Sequence, residues 1–164
     1  MNFSSTVSVM KTGRKRIRIG YCLAAMLAML FTYASVSKLS DYERSKKEML
    51  NQVFPKPVAL HLSWMVPVAE LITTGLLLFK ATRLHGFYCS LLLMFSFSVY
   101  IAIAMTGGFA KIPCSCGGIL KHMGYGSHLV FNLFFTAAAL AGIILDNPTP
   151  INIMVTPKQQ DQIN

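Results

Sequence analysis

Acidic residues are scarce in this sequence: Asp and Glu together number 6 of 164 residues, against 15 Lys and Arg, and only 13% of the chain is charged. A chain that is 54% hydrophobic and so poor in charge would give a soluble protein a large exposed apolar surface. This composition excludes an ordinary soluble domain. The chain also lacks a basic face interleaved with aromatic residues, so we expect no nucleic-acid partner despite the net charge of +9.

The N-terminus lacks a clean small-x-small cleavage site. A basic stretch precedes an apolar run, as in a signal peptide, but the run is longer than the roughly 7–15 residues usual for such a segment. It ends in Tyr33, Ser35, Ser37 and Lys38. We therefore expect the first apolar segment to be retained as a membrane span.

Long apolar runs are what the sequence has in abundance. They are Ile19–Ser37, Val58–Phe79, Leu84–Thr106 and Gly124–Leu145. Each has the ~20 residues that cross a hydrocarbon core of about 30 Å, so we expect the lipid bilayer to be the main partner.

The four runs predict an all-α fold, a four-helix transmembrane bundle over residues 17–146, with helices at about 17–39, 58–80, 84–106 and 124–146. Residues 1–16 form a basic N-terminal segment, which we expect to be disordered, and residues 147–164 form a C-terminal tail. The linker from Asp41 to Lys56 carries apolar residues at nearly helical spacing, which predicts an amphipathic segment at the membrane surface. These residues are Tyr42, Met49, Leu50, Val53 and Phe54.

The basic residues lie at the ends of the spans and set the expected orientation. Five precede the first span, from Lys11 to Arg18, and the first span usually dominates topology. We therefore expect a multi-pass protein of a bacterial inner (cytoplasmic) membrane with both termini in the cytoplasm. The loop between the last two spans then lies in the periplasm, where disulfides form and persist.

That last loop contains Cys114 and Cys116, one residue apart and followed by two glycines. A disulfide between them would close a small strained ring, and strained disulfides are the labile or catalytic kind. We predict that this pair is catalytic in thiol–disulfide exchange. One alternative is a docking loop with structural cysteines. Another is a metal site, in which Cys114, Cys116, His122 and His128 supply two sulfurs and two nitrogens.

The other two cysteines are expected at the opposite membrane surface. Cys22 and Cys89 stand near the starts of their helices, and about 25 Å of helix separates Cys89 from Thr106. We expect both to be small apolar packing residues. Electrons that reach the Cys114–Cys116 pair must then leave through a second protein or a lipid-soluble acceptor.

Glu70 is the acidic residue within the apolar runs, and an ionisable group near a bilayer centre indicates function. His128 and Asn132 are four residues apart and share a helix face. We predict that these three residues line a proton path or an acceptor pocket, with quinone as the candidate cofactor; the alternative is interhelical hydrogen bonding. Four residues at span ends are predicted to be interface anchors. These are Tyr33, Lys38, His61 and Trp64.

Four stretches together resemble the MauE/DoxX-like redox-associated integral membrane proteins, over roughly residues 17–146. The most specific are Pro113-Cys-Ser-Cys-Gly-Gly118 and His128-Leu-x-Phe-Asn132. The others are Tyr33-Ala-Ser-Val-Ser-Lys38-Leu and Trp64-x-x-Pro67-x-x-Glu70, which we expect to lie along one helix face. The chain looks most like the branch common in Bacteroidetes.

The resemblance implies a membrane thiol–disulfide protein that works with a periplasmic thioredoxin-like protein. MauE is linked to the maturation of methylamine dehydrogenase, whose small subunit carries many disulfides, and a thioredoxin-like partner, MauD, belongs to the same system. The chain is also loosely similar to DsbB and vitamin K epoxide reductase, which pass electrons to quinone. It departs from these patterns in having Gly117 and Gly118 where an aromatic residue usually follows, and in lacking a second outer cysteine pair.

Overall fold

The computed structural model describes residues 3–51, 55–106 and 125–147. These residues form the helices α1 (Phe3–Ser40), α2 (Tyr42–Leu50), α3 (Lys56–Leu78), α4 (Arg83–Met105) and α5 (Tyr125–Asp146). There is no strand within the described ranges. The predicted all-α fold is confirmed.

Four of the helices are long and apolar enough to cross a membrane. The candidate spans are Arg16–Ser40, Lys56–Leu78, Arg83–Ile103 and Gly126–Asp146. α3 begins two residues earlier than predicted, because Pro57 lies in its first turn, where a missing N–H removes no helical hydrogen bond.

The basic N-terminal segment differs from the expectation. α1 already begins at Phe3, so the expected disorder is wrong for residues 3–16. Lys and Arg favour a helix between Lys11 and Arg18, but residues 3–10 contain neither, and nothing in the structure explains why the helix extends that far.

The predicted amphipathic segment after the first span is helical as α2, and none of its residues is fully buried. The hydroxyl oxygen of Tyr42 lies 3.3 Å from Ser63 Oγ, which ties α2 to α3. Val53 and Phe54, which belong to the predicted segment, lie outside the described residues.

The four long helices form a bundle in which neighbours are antiparallel. α1 and α4 each pack along both α3 and α5, so α3 and α5 occupy diagonally opposite corners. One end of the bundle, the α3–α4 end, has the short turn between α3 and α4 and the last residues of α5. The other end, the α4–α5 end, is where α1 and α4 finish and where α3 and α5 begin.

An apolar core fills the half of the bundle near the α3–α4 end. Its buried members are Ala24, Leu27, Ala28, Phe31, Leu77, Phe87, Met94, Phe135, Ala139 and Ile143. α4 and α5 approach so closely here that a Cβ on Gly142 would overlap the ring of Phe87. Small residues permit such approach between membrane helices, where dispersion contacts replace the hydrophobic effect.

An ionic clasp closes the α3–α4 end. Arg83 Nε donates to Asp146 Oδ2 at 3.1 Å, and Arg83 Nη2 donates to Asp146 Oδ1. The guanidinium carbon of Arg83 also lies 4.1 Å from the ring centroid of Tyr21. A bidentate pair stacked on an aromatic ring fixes geometry as well as charge. The clasp therefore joins α1, α4 and α5 at one point.

Candidate functional site

Most buried polar side chains lie between the middle of the bundle and the α4–α5 end, whereas Thr73, Arg83 and Ser90 are buried nearer the α3–α4 end. We call the following residues the polar cluster: Ser35, Lys38, Ser63, Glu70, Ser98, His128 and Asn132, all of them buried. They come from all four spanning helices. The sequence analysis identified Glu70, His128 and Asn132 among them.

An ion pair between Lys38 and Glu70 lies within the polar cluster. Lys38 Nζ is 2.5 Å from Glu70 Oε1, and the two side chains are only 7% and 1% exposed. Helical side chains lean toward the N-terminus of their own helix, so Lys38 reaches down α1 toward the bundle middle while Glu70 leans up α3 to meet it. The ammonium also lies 5.9 Å from the ring centroid of Phe97 on α4.

This pair corrects the prediction that Lys38 is an interface anchor. A lysine near the end of a span ordinarily extends its ammonium outward to water. Lys38 turns inward because Glu70 offers a carboxylate within reach. The sequence carried a signal for this pairing: Glu70 is the acidic residue in the apolar runs, and Lys38 directly follows the first run. A buried carboxylate requires a partner.

The helix register places His128 at the depth of Lys38. A Cβ on Gly20 would lie 4.0 Å from Asp146 Oδ1, which aligns α1 with the antiparallel α5 at that point. Lys38 follows Gly20 by 18 residues, and His128 precedes Asp146 by 18 residues. At 1.5 Å per residue, both lie about 27 Å along the bundle from the clasp.

His128 and Asn132 are 2% and 4% exposed, so the predicted shared face of α5 points into the bundle. Asn132 lies about one helical turn deeper than His128. Glu70 is on α3, at the diagonally opposite corner from α5. The structure thus brings Glu70 into contact with Lys38, and it places His128 and Asn132 across the interior from that pair.

Two atoms of the polar cluster have no hydrogen-bond partner among the described residues. They are Glu70 Oε2 and Asn132 Nδ2, each buried from solvent. Buried polar atoms are nearly always hydrogen-bonded, directly or through ordered water. These two atoms therefore offer one acceptor and one donor to a small hydrogen-bonding molecule inside the bundle.

The serine hydroxyls of the cluster donate to backbone carbonyls of their own helices. Ser35 bonds to Thr32, Ser63 to Leu60 and Ser98 to Met94, at 3.1, 2.7 and 2.8 Å. Such local bonds satisfy the proton of each hydroxyl while leaving its lone pairs available. The serines therefore make the interior polar without adding charge. None of the three was predicted to be a site residue, because serines in apolar runs resemble ordinary helix-packing residues.

The Trp64-x-x-Pro67-x-x-Glu70 stretch does not lie along one face, which corrects that expectation. Pro67 and Glu70 are buried, whereas Trp64 is 49% exposed. Two three-residue steps rotate a helix 120° short of two full turns, which carries Trp64 out of the interior. Tyr33 and His61 are exposed as well, the location that an interface anchor needs.

Cys22 and Cys89 are free thiols in the half of the bundle near the clasp. Cys89 is half-buried, but Cys22 is exposed on the outside of the bundle, so the expectation that it packs within the interior is wrong. Cys114, Cys116 and His122 lie outside the described residues. The described residues hold no group of three or more side chains suited to a metal ion, and the predicted alternative metal set is not tested.

Comparison with known protein families shows a match over most of the chain. The family model described as methylamine utilisation protein MauE matches residues 16–145, a stretch that includes all four spanning helices and the Cys114–Cys116 segment. No curated protein and no solved structure matches the chain. The resemblance to a Bacteroidetes branch stays a prediction. The chain is thus a multi-pass membrane protein that belongs to the MauE family of methylamine utilisation proteins.

Proposed function

We propose that this protein is a membrane thiol–disulfide redox protein that supports disulfide formation or maturation of periplasmic proteins, with Cys114 and Cys116 as its exchanging pair. The observation that carries the proposal is the position of this pair in the chain. The segment that holds it connects the last turn of α4 to the first turn of α5, and the polar cluster lies inside the bundle at that same end.

The proposed chemistry is an exchange followed by a transfer. A dithiol on a periplasmic thioredoxin-like partner attacks the Cys114–Cys116 disulfide, and a mixed disulfide forms. The partner leaves oxidised, and the pair is left as two thiols. Returning the pair to a disulfide removes two electrons and two protons, which a membrane quinone accepts as it becomes a hydroquinone. Glu70, His128 and Asn132 provide the proton path or shape the acceptor pocket.

The proposed location is the bacterial inner membrane with both termini in the cytoplasm. The five basic residues that precede the first span favour that orientation. In it, the α4–α5 end faces the periplasm, where a disulfide pair persists and a thioredoxin-like partner is available.

The test is the redox state of the pair in isolated membranes. Membranes are quenched with acid, free thiols are labelled with a mass-tagging maleimide, and the assay is repeated after reductant and after added oxidised quinone. We expect Cys114 and Cys116 to cycle between disulfide and dithiol, and quinone to restore the disulfide.

The chain offers a matched control for this assay. A Cys22→Ser/Cys89→Ser variant keeps the pair and should cycle like the natural chain, whereas Cys114→Ser/Cys116→Ser should show no cycling. A pair that stays reduced in the oxidising compartment contradicts the proposal and favours a docking loop or a metal site. Metal analysis of the purified protein separates those two outcomes.

A further inference from the structure

We infer that the polar cluster is a hydrated half-channel that gives water and protons access to the Lys38–Glu70 pair from the α4–α5 end alone. The inference that the polar cluster is hydrated is drawn from the geometry of the described residues. The use of the channel in proton transfer rests on the proposed redox function.

The first support is the pair of unpartnered atoms. Glu70 Oε2 and Asn132 Nδ2 are buried and lack a hydrogen-bond partner among the described residues. An interior polar site holds water when it presents several polar partners. The cluster presents a carboxylate, an ammonium, an amide and three hydroxyls, so water bound there would satisfy both atoms.

The second support is the cost of the buried charges. Lys38 and Glu70 lie within candidate spans and are almost fully shielded from the surface. Ionisable residues within membrane proteins ordinarily face a water-filled cavity or pair with one another. This pair satisfies only one carboxylate oxygen of Glu70, and water at the other oxygen would lower the remaining desolvation cost.

The third support is the short route to one end of the bundle. Lys38 is two residues from the end of α1, and His128 is in the first turn of α5. Ser63, which contacts Tyr42 of α2, extends the polar lining along α3 toward the same end. Polar side chains therefore lie between the ion pair and the α4–α5 end, beside the buried apolar residues Ala59 and Ile101.

The opposite half of the bundle is closed. Leu27 and Phe87 are fully buried there, and Phe31 is fully buried near the middle of the bundle. The hydroxyls of Thr73 and Ser90 donate to carbonyls one turn earlier in their own helices, at 2.8 and 2.7 Å. Tight apolar packing leaves no room for a water chain. The clasp of Arg83 and Asp146 lies at the end beyond that packing, and Arg83 Nη1 is there the buried side-chain atom without a partner among the described residues.

One-sided access has a consequence for the proposed reaction. Oxidation of the Cys114 and Cys116 thiols releases two protons and two electrons, and reduction of a quinone consumes the same number of each. Protons that pass through the half-channel leave and return on the side of the cysteine pair. The reaction then moves no net charge across the membrane.

α4 offers three serines that test this inference on one helix. Ser98 is in the polar cluster, Ser90 is in the closed half, and Ser96 is exposed on the outside of the bundle. Each hydroxyl donates to the carbonyl four residues earlier. Serine-to-cysteine changes are nearly isosteric, so the three variants differ mainly in their access to water.

The measurement is the rate at which a charged, membrane-impermeant methanethiosulfonate modifies each new thiol in oriented vesicles. Mass spectrometry reads each site, so the natural cysteines remain. Only hydrated thiols ionise and react, so we expect Ser98→Cys to react at least ~10-fold faster than Ser90→Cys and Ser96→Cys. Two further variants show which face of the vesicle the reagent has reached. Thr106→Cys is modified by reagent at the α4–α5 end, and Lys80→Cys is modified by reagent at the α3–α4 end.

Ser98→Cys should react from the face that modifies Thr106→Cys, and from that face alone. A Ser98→Cys rate equal to that of Ser96→Cys overturns the half-channel, and so does reaction from the face that modifies Lys80→Cys. If Ser98→Cys does not fold, the same comparison can be made on α5. The labelling rate of Asn132→Cys is then compared with that of the outward-facing Leu133→Cys. If Ser98→Cys is labelled fast but the Cys114–Cys116 pair never cycles, the half-channel is supported. Only its proposed use in the redox reaction is then contradicted.

Discussion

The two halves of this bundle are built from the same four helices but hold together differently. Near the clasp, the interior is aliphatic and aromatic, and Gly142 lets α5 touch the ring of Phe87. Near the α4–α5 end, the interior holds the polar cluster, with the Lys38–Glu70 pair within it. Lipid tails are as apolar as the side chains, so the hydrophobic effect does not hold the helices together inside a bilayer. Close van der Waals packing therefore stabilises the half near the clasp, and the Lys38–Glu70 ion pair stabilises the other half. The apolar half is thus the more closely packed, and the polar half is where the proposed chemistry would take place.

The largest expected effect comes from breaking the ion pair. Lys38→Met leaves the Glu70 carboxylate uncompensated inside the bundle, and removing one partner of a buried pair costs about 3–5 kcal/mol. The free energy of unfolding, measured by denaturing the protein from mild micelles with SDS, should fall by that amount.

The double variant Lys38→Met/Glu70→Met is the control for that prediction. Replacing both charges with apolar groups of similar size is often neutral for stability, so most of the lost stability should return. A double variant as unstable as the single one would mean that Lys38 acts through its packing on Phe97 rather than through its charge.

The next effect tests the closed half. Gly142→Ala forces a methyl group into the Phe87 ring, and overpacking of this kind costs about 1–3 kcal/mol in the same unfolding assay. Gly75→Ala is the matched control, because nothing lies within 4 Å of the added carbon. Equal stability of the two variants would show that the close approach of α4 and α5 does not hold this half together.

A smaller effect is expected at the border of the polar half. Tyr42→Phe removes the hydroxyl that contacts Ser63 Oγ, and a single hydrogen bond contributes about 0.5–1.5 kcal/mol. The global unfolding free energy should fall by no more than this. Proteolysis within α2 should become faster, since the contact ties that helix to α3. Unchanged proteolysis would mean that other contacts hold α2.

The smallest effect is expected outside both halves. Arg44 on α2 pairs with Glu48 at 3.3 Å, and its side chain is 65% exposed. Exposed pairs four residues apart on a helix contribute about 0.3–0.5 kcal/mol, so Arg44→Gln should barely change the unfolding midpoint. A large loss of stability would show that α2 supports the bundle more than its exposure indicates.

Most of the fold was predictable because a membrane span can be identified from the length and the apolar composition of its sequence. The four apolar runs predicted the four spanning helices, with boundaries within about two residues at most ends. The start of α1 at Phe3 was not predicted, because a basic segment has no apolar period that marks it as helical or disordered.

Three residues of the polar cluster were predictable from the sequence, but the fourth ionisable or amide residue, Lys38, was predicted to be an interface anchor. Glu70, His128 and Asn132 are unusual in apolar runs, and all three are buried as expected. Trp64 was placed on the wrong face, because a spacing of three residues drifts around the helix. The redox roles of Cys114 and Cys116 remain predictions that the membrane assay tests.

The sequence by itself determined that this chain spans a membrane four times, since about 20 apolar residues in a row have few other stable environments. It also showed that Glu70, His128 and Asn132 interrupt the apolar runs. Only the tertiary structure decided that Lys38 turns inward to Glu70 and that the polar cluster fills one half of the bundle. The reason is that helix register and side-chain direction come from packing between helices, and packing is not encoded in the period of any single helix.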